Sequence, residues 1–164
     1  MRRVLKRQAR PDVEVQRGES VLAWAEATDG TVVAGTRDAL YVGATRLPWE
    51  RVEAAEWDRD ADRLRVSEVG TWGDQRVEHD YGFDEPGRLL ELVRERVTAS
   101  VVLQRHVRVT GRQGLRVIAR RAPRGDRPVA WFYEYDEGLD PTDPAVREAA
   151  EVGLRAAREE LGEA

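Results

Sequence analysis

Short apolar segments separated by turn residues occupy positions 21–66 of the chain. In Arg63-Leu-Arg-Val66 the apolar side chains alternate with charged ones, a two-residue period that is typical of a strand with one buried face. Asp29-Gly30 lies between two of the segments and favours a hairpin, because a tight turn needs the positive φ that Gly tolerates. This part of the sequence therefore predicts a meandering antiparallel sheet.

The composition excludes several kinds of site and of location. The 164 residues include no cysteine, which excludes disulfides, thiolate metal sites and cysteine nucleophiles. No apolar run approaches the roughly 20 residues that span a bilayer, and the basic start of the chain lacks the apolar stretch of a secretory signal. We therefore expect a cytoplasmic protein that is not transmembrane, with a basic N-terminal arm at residues 1–18.

One amphipathic helix is predicted after the strand repeat. Asp84 can cap free backbone N–H groups, and Pro86 is tolerated in a first helical turn. Leu89, Leu90 and Val93 then follow at helical spacing. These signals predict a helix over about residues 85–98.

A second sheet and a second helix are predicted in residues 101–164. Apolar residues at odd positions predict three strands that share one apolar face, with Trp131, Tyr133 and Tyr135 expected in the core. Asp143 and Pro144 favour the start of the last helix. Small residues dominate its apolar stripe, so we expect it to lie close against its sheet. The stripe consists of Val146, Ala150, Gly153, Ala157 and Leu161.

The strand segments and the first helix together resemble a known family. Its pattern is carried by Thr31-Val-Val-Ala, by Thr36 followed by Leu40-Tyr-Val, by Leu47-Pro-Trp49 with Val52, and by the helix through Leu89, Leu90 and Val93. These stretches are similar to the bacterial PH-like (pleckstrin-homology-like) domains over about residues 20–100. The resemblance implies an α+β fold, in which residues 19–100 form a PH-like antiparallel sheet or partial barrel with a closing helix. A three-stranded antiparallel sheet and a C-terminal helix, at residues 101–164, would pack on it as part of the same unit.

The same resemblance implies a binding scaffold rather than a catalyst. Family members that bind phosphoinositides use Lys and Arg in and beside the first hairpin loop. Here that loop is Thr28-Asp29-Gly30, close to Glu26, and its carboxylates would repel a phosphate. We therefore do not expect a phosphoinositide ligand.

Positive charge is concentrated in residues 105–133, which hold eight arginines against Asp126 alone. The strand pattern places His106, Arg108, Arg116 and Arg120 on one face of the second sheet, where they are the candidate anion-binding or partner-binding residues. Such a face could meet nucleic acid phosphates or an acidic membrane. The favoured alternative is that the acidic last helix covers or neutralises the arginines, or that they are solvated, so we do not expect a nucleic acid partner.

Two other motifs have simpler interpretations. Gly111-Arg-Gln-Gly114 has the form of the loop that clamps nucleotides in KH domains, but it joins two predicted strands and favours a hairpin turn. Asp58-x-Asp60-x-Asp62 has the form of half a calcium loop, yet Arg63 and Val69 stand where such a loop needs Gly and Glu. The sequence therefore predicts neither a metal nor a cofactor.

No catalytic residues are predicted. His79 and His106 are the only histidines, and the sequence contains no nucleophile elbow, no zinc-protease motif and no Walker loop. The leading hypothesis is a non-catalytic cytoplasmic protein-interaction or scaffold module, not an enzyme, whose partner is another protein or a second copy of the chain. The alternative is a binder of anionic surfaces that uses the arginine-rich strand face.

Overall fold

The computed structural model describes residues 11–70, 75–125 and 127–163. Within these ranges the chain is α+β, with antiparallel sheets and two helices. Strands β1 to β4 form one sheet, β5 to β7 a second, and β8 to β10 a third in the order β10-β9-β8. The strands are β1 Ala23–Glu26, β2 Val32–Gly35, β3 Ala39–Val42, β4 Thr45–Pro48, β5 Val52–Asp58, β6 Arg63–Glu68, β7 Glu78–Gly82, β8 Val101–Thr110, β9 Gln113–Arg120 and β10 Ala130–Tyr135; the helices are α1 Leu89–Ser100 and α2 Pro144–Leu161.

The predicted meander is divided into two sheets that are not closed into a barrel. The division falls at a short 3-10 helix, Trp49–Arg51, between β4 and β5. The Trp49 side chain is fully buried, and its indole N–H donates to the carbonyl of Thr36 over 3.0 Å. A buried indole needs such an acceptor, so the side chain fixes the point at which the chain leaves the first sheet.

Helix α1 packs across both of these sheets and completes a shared core. Leu89 and Val93 join Trp49, Phe83 and residues from both sheets in one buried cluster. The prediction of its start was wrong: the helix begins at Leu89, and no side chain caps it. Gly87 has a φ of +56°, a left-handed conformation that a helix cannot include.

The second half of the chain folds as predicted, with a three-stranded antiparallel sheet and a C-terminal helix. The Asp143 side chain accepts a hydrogen bond from the Ala145 amide over 2.9 Å and caps α2. The small-residue stripe brings α2 close to the sheet, since a Cβ on Gly153 would lie 2.5 Å from Cγ2 of Val107. Among the described residues, no helix is both long and apolar enough to cross a membrane.

The described part of the predicted N-terminal arm lies against the first sheet. Val13 and Val15 pack on Tyr41 and its neighbours, and the Gln16 amide donates to the Tyr41 hydroxyl over 2.9 Å. Residues 1–10 lie outside the described part of the chain.

Candidate interaction surface

All four candidate residues lie on the face that the sequence predicted, since Arg116 and Arg120 are alternate residues of β9, but Arg120 is at the buried end of that face. The register of β8 and β9 places His106 opposite Arg116 and Arg108 opposite Gly114, and directly opposed residues lie on the same side of a sheet. Helix α2 packs on the other side, against Leu115 and Val117. The acidic helix therefore does not cover the basic face.

Arg120 holds the two halves of the chain together and has almost no exposed surface. It is 4% exposed, and its guanidinium donates to the backbone carbonyls of Val52 over 3.0 Å and Glu53 over 3.1 Å. A further contact joins it to the Ser100 hydroxyl at 3.4 Å. Burial lowers the pKa of Arg120, and the nearby Glu53 and Glu134 carboxylates oppose this effect. Because its donors are occupied internally, Arg120 is not placed to bind an external anion.

The other three candidate residues differ in exposure and in whether their charge is paired within the protein. Arg116 forms an ion pair with Glu134 on the neighbouring strand. His106 and Arg108 are exposed on β8. The basic face thus presents one open arginine and one open histidine, rather than four converging cations.

The junction between the halves also contains a half-buried carboxyl group, that of Glu53. Burial raises the pKa of its carboxyl. Arg76 Nε lies 2.9 Å from its Oε2, although the two groups are not aligned for a hydrogen bond. The Arg51 guanidinium, next to this site, lies 5.7 Å from the ring centre of Phe132 on β10, a distance typical of a cation–π contact.

A polar network fixes the segment before β1. The Glu19 side chain is 5% exposed. It accepts hydrogen bonds from the hydroxyls of Thr36 and Tyr41 and from Nε and Nη2 of Arg46. Burial alone would raise the pKa of Glu19, but the hydrogen bonds from Arg46, Tyr41 and Thr36 outweigh it and lower the pKa. Glu19 and Arg46 also line a polar cleft of about 400 Å³, together with Asp38 and Arg124, which form a bidentate ion pair at 2.6 and 2.8 Å.

Within the described ranges, His79 lies beside a carboxylate. His79 Nε2 lies 2.9 Å from Glu68 Oε2, and the His79 side chain is 16% exposed. Such a pair can act as a general base where a nucleophile is within reach. Ser67 is adjacent in sequence, but consecutive strand residues point to opposite faces, so it does not join the pair.

An aromatic surface that the sequence did not reveal lies along β10. Trp131, Tyr133 and Tyr135 were expected in the core, and they do face the α2 side of the sheet, but Tyr133 is 38% exposed. Helix α2 lies mainly over β8 and β9, and Trp131 and Tyr135 pack only partly against its core. The strand pattern predicts which face these rings occupy. It cannot show where the helix crosses that face, because this depends on the close contact at Gly153.

The C-terminal half of α2 borders a groove of about 310 Å³. The Trp131 indole N–H donates to Glu163 over 3.0 Å, and the Arg158 guanidinium lies 6.0 Å from the Trp131 ring centre. These contacts connect the Trp131 end of the row to the C-terminal part of the chain, while Tyr133 is exposed. The groove is lined by Glu151, Leu154, Arg155, Arg158, Glu159 and Glu163.

Metal ligation has no candidate in the described ranges, where no three His, Asp or Glu side chains cluster as a metal would require. In the aromatic row on β10 the Tyr133 ring is exposed, whereas Trp131 and Tyr135 are half-buried and pack against the core beneath α2. The chain matches no family model, no curated protein and no solved structure.

Proposed function

We propose that the protein is a non-catalytic, cytoplasmic protein-interaction module, and that the aromatic row of β10 is its contact surface. The observation that carries this proposal is the exposure of Tyr133 between the half-buried Trp131 and Tyr135. Tyr and Trp are enriched in protein interfaces, because they bury a large area and lose few rotamers. The row is also held on a strand and anchored by Glu163, so little order would be lost on binding.

The PH-like resemblance supports the same function. Short antiparallel strands lead into a helix that packs on both sheets, the order of elements that the resemblance implies. In this proposal residues 19–100 are a PH-like scaffold, and Arg120 fixes the second sheet on it. The scaffold would then present the β10 surface in a defined orientation.

Site-specific photo-crosslinking in the producing cells tests the proposal. A benzophenone side chain in place of Tyr133 should give adducts of discrete mass. The control carries the same group in place of Leu22, which is 53% exposed and lies in the other half of the chain. The absence of adducts at position 133, or identical adducts at both positions, would contradict a contact surface on β10.

Catalysis is tested at His79, which pairs with the Glu68 carboxylate among the described residues. If the protein is not an enzyme, a broad screen of hydrolase and transferase substrates should show no turnover that depends on His79. Turnover that is lost in His79→Ala and retained in His106→Ala would refute the non-catalytic assignment.

Binding of anionic surfaces is a second candidate, and one observation favours it: α2 packs on the opposite face and leaves His106 and Arg108 open. The affinity of such binding should fall steeply as the salt concentration rises. The release of condensed cations from the phosphates drives this binding, and it is less favourable at high salt. Titration of the protein with duplex DNA and with acidic vesicles at low salt measures this dependence. No binding there, or binding that Arg108→Gln leaves unchanged, would rule this candidate out.

A further inference from the structure

The outer edge of β10 carries backbone groups that pair with no other strand in the described part of the chain. Within the described ranges β10 pairs only with β9, through one of its two edges. The Asp136 amide donates to the Gly114 carbonyl over 3.0 Å, and backbone groups alternate in direction along an antiparallel strand. The N–H and C=O groups of Trp131, Tyr133 and Tyr135 therefore point away from β9. Unpaired edge groups of this kind are a template for another strand.

The other outer strands of the described sheets are protected in ways that β10 is not. Strands β1 and β4 have four residues each, β5 and β7 carry several carboxylates, and β8 carries two arginines and a histidine. Short length and charge both discourage edge pairing. Strand β10 has one charged residue, Glu134, and its charge is paired with Arg116.

The chain that follows β10 leaves its outer edge open. Gln113 at the β8–β9 turn donates to the Glu137 carbonyl over 2.9 Å. The turn after β10 therefore bends over β9 and β8, toward the start of α2. It does not fold back along the free edge of β10.

We propose that this edge binds β10 of a second copy of the chain, antiparallel and with a two-fold axis at Tyr133, an inference that rests on the proposed function. In this register Tyr133 faces its own counterpart, and Trp131 faces the partner's Tyr135. These residues are the ones whose backbone groups point outward, so each N–H meets a C=O of the other strand. Two three-stranded sheets then join into one six-stranded sheet.

The side chains of β10 are self-complementary in the same register. Phe132 lies opposite the partner's Glu134, so no like charges are opposed. The aromatic residues on the α2 side pair with one another, as cross-strand neighbours of a stable sheet do. A self-complementary patch of this kind is what a two-fold dimer requires, so a second copy of the chain fits this edge.

Solution mass tests the dimer directly. The wild-type protein should have about twice the 18.6 kDa of the single chain. Tyr133→Pro should be a monomer, because it removes an outward N–H and no hydrogen bond to β9. His106→Pro is the matched control: Arg116, opposite it, directs its backbone groups to β10, so the His106 N–H also points out of the sheet, at the β8 edge. This variant should remain a dimer.

Single cysteines test the register even if the proline variants fold poorly, since the chain contains no cysteine of its own. Tyr133→Cys should form disulfide-linked dimers on mild oxidation, because facing Cα atoms about 5.5 Å apart can be bridged. Tyr135→Cys alone should not, but it should crosslink when mixed with Trp131→Cys. A wild-type monomer throughout a dilution series, or equal crosslinking of Tyr135→Cys alone, would overturn the proposal.

The crosslinking results also separate this inference from the proposed function. Adducts at position 133 with the mass of two chains support both. Adducts of another mass, with a wild-type monomer, leave the interaction module standing and overturn self-pairing. No adduct at position 133, with a monomer, overturns both.

Discussion

The guanidinium of Arg120 donates to the backbone carbonyl of Val52 over 3.0 Å, across 68 positions of the chain. This contact joins the third sheet to the first half of the molecule at a site where both groups are buried. The charge pattern made Arg120 a candidate for binding external anions, but its contacts instead join the two parts of the fold. Arg120 occupies the end of the basic face that lies against β5.

Replacing Arg120 with Met should destabilise the fold. The backbone carbonyls of Val52 and Glu53 would lose their donors, and a buried acceptor without a partner costs about 1–3 kcal/mol. Urea unfolding measures the change. Arg108→Met is the control, and its effect should stay within about 0.5 kcal/mol, because Arg108 is exposed. If both substitutions change the free energy of unfolding equally, the hydrogen bonds of Arg120 do not contribute to stability.

Glu19 should stabilise the protein at neutral pH and lose this role in acid. Its pKa in the folded state lies below the ordinary 4.5, so the folded protein holds fewer protons at this site than the unfolded chain does. The stabilisation is present in full above pH 4.5 and is lost as the pH falls through the folded-state pKa. In urea unfolding across pH, the difference between wild type and Glu19→Gln should be constant at neutral pH and shrink below pH 4.5.

Glu14→Gln is the control for this experiment, since Glu14 is exposed on the same segment. Its difference from wild type should stay small at every pH. A Glu19→Gln difference that does not narrow in acid would contradict the stabilising role of the Glu19 carboxylate.

Glu53 should show the opposite dependence. Burial raises its pKa above 4.5 in the folded state, so ionisation of this carboxyl opposes folding. The wild-type protein should lose stability relative to Glu53→Gln as the pH rises from 4.5 through the folded-state pKa. Thermal or urea unfolding from pH 4 to pH 8 measures this. Glu56→Gln, at an exposed position of the same strand, should show no such divergence.

Elements that depend on residues close together in the chain could be predicted from the sequence. The Asp143 cap and the small-residue stripe of α2 are examples, because a cap and a helical face depend on residues close together in the chain. The start of α1 could not be predicted, since Asp84 and Pro86 give the same local signal whether or not a helix follows directly. There the left-handed Gly87 decides the outcome.

The candidate site was predicted only in its face assignments. Strand parity placed His106 and Arg116 on one side and Tyr133 on the other, as the register has them. Parity does not show which end of a face is buried by another sheet. Arg120 was therefore expected on the surface but is 4% exposed, and Tyr133 was expected in the core but is 38% exposed.

The close approach at Gly153 should be the contact that holds α2 over β8. Ala in place of Gly improves helix propensity by about 1 kcal/mol at an unconstrained site. Here the added Cβ would lie 2.5 Å from Cγ2 of Val107, a stiff β-branched side chain. Overpacking of this kind costs about 1–3 kcal/mol, so Gly153→Ala should lower the free energy of unfolding in urea. In a Val107→Ala background the 2.5 Å contact is removed and the nearest neighbour is Cγ2 of Val117 at 3.3 Å, so the same substitution should cost clearly less or become neutral. If Gly153→Ala has the same effect in both backgrounds, the two residues are not coupled, and the position of α2 over the sheet must be fixed elsewhere.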